Sequence, residues 1–162
     1  TGPGMDFVDG QDGSDKIIVN LMGESVTSYA NVTDSGVNGS DSLTVEGTEV
    51  DDDLLMRMNK THKLGFVALL PDTLNQLEGE QKTADDLSKN TNIERVNFTN
   101  AMDVVNLNGN GGKDTIRIDG TAKVTNVDGG AGSDTIQVGQ LYNSERNDQS
   151  SAVVTVNDAL IQ

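Results

Sequence analysis

Glycine and aspartate recur at one fixed spacing in this chain of 162 residues. In four segments a Gly is followed by a second Gly three residues on, by Asp two residues after that, and by Ile or Leu two beyond the Asp. The copies are Gly10, Gly13, Asp15, Ile17; Gly36, Gly39, Asp41, Leu43; Gly109, Gly112, Asp114, Ile116; and Gly129, Gly132, Asp134, Ile136. A weaker fifth copy runs through Gly47, Asp52 and Leu54, with Val50 at the second glycine position. Glycine permits backbone angles closed to residues with a Cβ, so the chain can curl tightly and aim carbonyl oxygens inward. The aspartate adds a carboxylate, and the apolar residue beyond it ties the turn to a core. Ca²⁺ takes about six to eight such hard oxygens in flexible geometry, whereas Mg²⁺ demands a stricter octahedron. Calcium binding is therefore the chemistry this spacing could do. The purely structural reading beside it is an aspartate that caps a β-turn by bonding its own backbone.

These turns need elements to hold them. After each motif Asp the sequence alternates, as in Ile17-Ile18-Val19-Asn20-Leu21, Leu43-Thr44-Val45, Thr115-Ile116-Arg117-Ile118 and Thr135-Ile136-Gln137-Val138. Period two over a few residues means a short strand with one face inward. Further strands are expected at 65–70, 93–98, 104–107, 124–127 and 153–156, and no segment has the length and period of a core helix. Strands joined by Gly-rich turns fit the rungs of a parallel β-solenoid better than a meander of hairpins. The expected fold is thus all-β, one solenoid segment over 1–162 resembling a β-helix or β-roll, with 71–92 as a polar loop excursion between rungs.

The segment Gly129-Gly130-Ala131-Gly132-Ser133-Asp134-Thr135-Ile136-Gln137 resembles in full the glycine-rich nonapeptide of RTX (haemolysin-type) calcium-binding repeats. The copy from Asn108 departs at its second Gly, which is Asn110, and the copies from Asp9 and Asp34 lose that Gly to Gln11 and Val37. In that family ions sit between turns of successive rungs, held by the motif Asp and by carbonyls of the glycine turn. The resemblance implies Asp15, Asp41, Asp114 and Asp134 as carboxylate ligands, with the turns of Gly13, Gly39, Gly112 and Gly132 supplying carbonyls. Asp12, Asp128 and Asn110 flank them as further candidates. Family members run nonapeptides back to back, whereas these copies lie about twenty residues or more apart. The surrounding text also resembles degenerate repeats of very large extracellular surface proteins.

Composition narrows the function classes. A net charge of −15, from 26 acidic and 11 basic residues, opposes compaction unless cations sit among the carboxylates. It argues against nucleic acid, which needs clustered Lys and Arg, and the sequence displays neither a basic stripe nor an aromatic stacking platform. No run of apolar residues is long enough to insert in a membrane as a helix. With no cysteine there is no disulfide or thiolate site. Asp51-Asp52-Asp53 reads as a solvated charge run, His62 as a lone exposed residue, and Met22, Met56, Met58 and Met102 as core fillers. Catalysis is not expected: lyases and hydrolases on β-helices converge a base or two carboxylates in one groove, whereas Lys16 and Lys113 stand at different repeat positions and the acids repeat in turns. The reading is a calcium-binding structural or adhesive module of a secreted or cell-surface protein, partnered by neighbouring repeats or by self-assembly. The alternative is a glycan-binding or glycan-active β-helix domain, with surface glycans as partners.

Overall fold

The alternation seen in the sequence is realised as twelve short strands and, among the described residues, no helix. The computed structural model describes residues 3–23, 27–59, 61–70, 93–121, 123–139 and 153–159. In chain order the strands are β1 Gly4–Asp9, β2 Lys16–Asn20, β3 Ser28–Thr33, β4 Ser42–Glu46, β5 Asp53–Asn59, β6 Leu64–Leu69, β7 Glu94–Thr99, β8 Val104–Asn108, β9 Thr115–Ile118, β10 Val124–Ala131, β11 Thr135–Val138 and β12 Val153–Ala159. They form two sheets, one of seven strands in the order β1-β3-β7-β6-β5-β9-β11 and one of five in the order β12-β10-β8-β4-β2.

The five-stranded sheet is parallel throughout. Its register stacks like on like: Val19, Val45, Leu107 and Val127 form one continuous inward row, all essentially buried. A row of this kind follows from the period-two pattern, since every second side chain of each parallel strand points to the same face. The seven-stranded sheet supplies the facing rows, such as Ala30, Val96, Val67, Met56 and Ile118. One hydrophobic core lies between the two sheets.

The expectation of a uniformly parallel solenoid needs correction in the larger sheet. β6 runs antiparallel to both β5 and β7, so β5, β6 and β7 make the kind of meander that the sequence reading had set aside. The β5–β6 connection is a tight polar turn, closed by the His62 N–H donating to Asn59 Oδ1 at 3.0 Å, with Lys63 in the left-handed region. Inside the meander Gly65 leaves room for the Phe98 ring, which a Cβ there would meet at 2.4 Å. With the antiparallel β6 this sheet has seven strands against five in the other. The expected loop at 71–92 lies outside the described residues.

Two smaller expectations also change. Asp52 and Asp53 are buried, unlike the exposed Asp51, so this run is not a solvated face. Asp53 enters β5 and pairs with Arg117 from the neighbouring β9. Met22 is 41% exposed and leaves the core to Met56, Met58 and Met102.

Candidate metal centre

The connections run along two opposite borders of the stack, because strands alternate between sheets. Copies one and two of the motif lead from the large sheet to the small one (β1 to β2, β3 to β4). Copies three and four and the weaker fifth lead back (β8 to β9, β10 to β11, β4 to β5). The repeat therefore splits into two sets that never meet.

Along both borders the motif aspartate has the same first task. Its carboxylate accepts the backbone N–H of the aspartate one rung earlier: Asp15 N–H to Asp41 Oδ1 at 2.9 Å on the first border, Asp52 to Asp114 Oδ1 at 2.8 Å and Asp114 to Asp134 Oδ1 at 2.9 Å on the second. Asp103 continues the first ladder by accepting from Asp41 N–H at 3.1 Å and from Lys123 Nζ at 2.8 Å. That pairing with Lys123, and next the Asp41 N–H, hold the Asp103 carboxyl below its usual range. The ladder satisfies main-chain donors that would otherwise be orphaned between rungs. It occupies one carboxylate oxygen and leaves the other.

The glycines explain why the turns stack. A Cβ on Gly39 would lie 1.5 Å from the Gly13 carbonyl oxygen, and one on Gly132 would lie 1.6 Å from that of Gly112; all four residues have φ between 112° and 144°. In three of the four copies the second glycine position of the nonapeptide is left-handed whether or not glycine occupies it, with Gln11 at φ 68°, Asn110 at 73° and Gly130 at 86°, whereas Val37 in the remaining copy is not. Asn110 then donates its side-chain amide to the Gly47 carbonyl at 3.0 Å. Asp12 and Asp128 accept backbone N–H groups of Val37 and Gly130, each at 3.0 Å. These flanking candidates act as turn braces.

The first border differs from the second in one residue. Asp9 pairs with Thr33, so Asp34 follows β3 at the station that Gly10 holds after β1. The turn from Asp34 to Asp41 is longer than its neighbours, and its first station carries a carboxylate. Among the described residues, Asp15, Asp34 and Asp41 form a set in which one carboxylate oxygen from each lies within 4.8 Å of the other two. Asp34 and Asp41 are 9% and 8% exposed. Asp15 Oδ2 and Asp34 Oδ2 are buried without a hydrogen-bond partner. Both lie 3.2 Å from the point where a Gly10 Cβ would stand, so the absence of that Cβ eases their approach. Asp34 Oδ1 accepts the Gly36 N–H at 2.6 Å, which by itself lowers its pKa. Burial, the close approach of the Asp41 carboxylate, and the charges of Asp41 and Asp15 outweigh that bond and push the Asp34 carboxyl up.

Three carboxylates so close repel one another, and buried oxygens without partners cost free energy. A divalent cation relieves both, and an all-oxygen anionic donor set suits a hard ion. Sequence reasoning found Asp15 and Asp41 but missed Asp34, which stands outside the Gly-Gly-Asp frame. On the second border Asp114 is fully buried with Oδ2 unpartnered, as is Asp134 Oδ2, yet no third carboxylate among the described residues completes a comparable set there. No protein family, curated protein or solved structure matches the chain.

Proposed function

We propose that this chain is a calcium-binding structural module of a secreted or cell-surface protein, a solenoid-like stack whose first border is clamped by an ion among Asp15, Asp34 and Asp41. One observation carries the reading: two buried carboxylate oxygens without partners converge over Gly10, from adjacent rungs. An ion at that point ties the β1–β2 connection to the β3–β4 connection, so binding and folding are coupled. The three carboxylates would supply part of the coordination shell, with water or main-chain carbonyls completing it. The net charge of −15 adds a general reason for cations to favour the compact state. The resemblance of the turns to RTX repeats supports the choice of calcium, and with it an extracellular setting and a non-enzymatic role in spacing or adhesion.

A site of extracellular affinity has a dissociation constant on the order of 10⁻⁴ to 10⁻³ M. At ten times that constant one ion adds about 1.4 kcal/mol, or roughly 3 to 6 °C in melting temperature for a domain of this size. The test is thermal unfolding followed by circular dichroism after EDTA treatment, titrated with CaCl₂ and with MgCl₂ as control. The expected result is a calcium-selective rise that Asp34→Asn abolishes. Identical melts in EDTA and in saturating calcium would mean that the carboxylates only brace turns.

A further inference from the structure

Strand register gathers on the outer face of the seven-stranded sheet a group of side chains that the sequence scatters. Phe7, Asn31, Asn97, Phe66 and Arg57 lie side by side in one row across β1, β3, β7, β6 and β5. Their chain neighbours Val8, Val32, Phe98, Val67 and Met56 belong to the core, so this row faces away from it. The adjacent row carries Met5, Tyr29 and Arg95. Of the five Phe and Tyr residues in the chain, Phe7, Tyr29 and Phe66 share this face.

The polar groups between the rings are only partly used. Asn97 Nδ2 donates to Asn31 Oδ1 at 3.0 Å, while Asn97 Oδ1 has no partner among the described residues. Arg95 lies 4.1 Å over the Phe66 ring, and its Nε, itself buried, is likewise unpartnered among the described residues. Arg57 and Arg117, the other arginines of this face, are paired with Asp119 and Asp53. At one end Phe7 is 77% exposed, beside a groove of about 430 Å³ shared with Asn31, Asn97, Thr33, Thr99, Leu64 and Asp9, whose carboxylate accepts the Gln11 and Ser35 N–H groups.

We propose that this face binds a short saccharide carrying one carboxylate, a uronic-acid type of sugar. Phe7 and Phe66 stand three strand spacings apart, about 14 Å, which a few sugar rings span. Sugar C–H faces pack on exposed aromatic rings, and side-chain amides donate to and accept from hydroxyls. A guanidinium preorganised on a ring and free of a carboxylate partner is suited to a carboxylate. Charge complementarity decides the class: among the described residues Arg95 is the arginine of this face with no carboxylate partner. The net charge of −15 repels a polyanion, but a single carboxylate feels mainly the local field, since charges beyond about 8 Å are screened at physiological salt. This site shares no residue with the acidic triad and stands whether or not calcium binds there.

The experiment titrates the full chain, in calcium and separately in EDTA, with aldotetraouronic acid (one glucuronate on three xyloses) and with uncharged xylotetraose, by calorimetry and saturation-transfer NMR. The expected result is saturable binding of the acidic sugar, at least about tenfold tighter than the neutral one, weakened at least about tenfold by Phe7→Ala and by Arg95→Gln, and unchanged by Val50→Ser on an exposed turn of the second border, with each variant's fold checked by circular dichroism. Phe7 is largely exposed on an outer strand, so its truncation tests the site without threatening the core. No saturable binding by the wild-type chain overturns the proposal. So do equal affinities for the two sugars with indifference to Arg95→Gln, or a dimer that Phe7→Ala converts to monomer.

Discussion

Asp114 offers the sharpest test of how the second border is held. Its side chain is fully buried, Oδ1 accepts the Asp52 N–H at 2.8 Å, and Oδ2 has no partner. Burial pushes its pKa from 3.8 up to about 6; the Asp52 N–H opposes the shift, and the charges of Asp52, Asp134 and Asp51 add to it. The folded state thus binds this proton more tightly than the unfolded chain does. The contribution to stability is present below about pH 4 and is lost as pH rises towards about 6. About two pH units correspond to roughly 3 kcal/mol, and solvent screening of the neighbouring charges brings the range to about 1 to 3 kcal/mol. Asp114→Asn keeps the Oδ1 acceptor and removes the charge. Its new amide faces the space above Gly109 that the Gly129 carbonyl also borders, since a Gly109 Cβ would stand 2.3 Å from Asp114 Oδ2 and 2.4 Å from that carbonyl oxygen. Urea unfolding in EDTA should therefore show the variant about 1 to 3 kcal/mol more stable than wild type near pH 7.5, and about equal to it near pH 4. A variant less stable at the higher pH, or a gain independent of pH, would refute this reasoning. Repeating the measurement in CaCl₂ separates the roles: if Asp114 were a calcium ligand, as the resemblance implies, the gain would shrink or reverse.

Other perturbations reach the remaining parts of the argument. Gly39→Ala should cost at least about 3 kcal/mol, or prevent folding, because it combines a strained positive φ with a Cβ 1.5 Å from the Gly13 carbonyl oxygen; the check is urea unfolding against Val37→Ala in the same turn, which should be near neutral. Glu94 is 5% exposed and accepts the N–H groups of Met22 at 2.9 Å and Gly23 at 3.1 Å; burial raises its pKa against those two bonds. Glu94→Ala should orphan both donors and cost about 2 to 3 kcal/mol, while Glu94→Gln, which keeps one acceptor, should cost less than half as much by the same assay.

The strands with clean alternation and a turn on either side were legible, and β2, β4, β8, β9 and β11 stand close to where period two puts them. β1, β3 and β5 were not. Gly4-Met5-Asp6-Phe7 alternates poorly because Phe7 faces outward, and β3 buries Ser28 and Ala30 as well as Val32, a row too weakly apolar to register as a strand. β5 hides behind its own aspartates: Asp52 and Asp53 look solvated until the ladder to Asp114 and the pairing with Arg117 are known, and both partners lie more than sixty residues away. The strand expected at 65–70 is β6, but its antiparallel direction is invisible for a related reason, since period two is the same for a strand running either way.

The acidic turns show the same limit at the level of chemistry. A repeat tells which residues are equivalent within a turn, but a metal centre is made between turns, and that depends on which border each turn joins. The match to the nonapeptide is complete at Gly129 to Gln137, yet there the described carboxylates form a ladder with at most one oxygen of each left over. The copy from Asp34, whose turn is two residues longer and has Val37 in place of the nonapeptide's second glycine, gathers three carboxylates. The departure is the cause: the longer turn moves Asp34 to the station where every other copy needs a glycine, and there its carboxylate reaches across Gly10 to Asp15 and Asp41. A degenerate copy can thus hold a better cation site than a faithful one, provided that the rung beside it keeps the glycine that leaves room for the carboxylate.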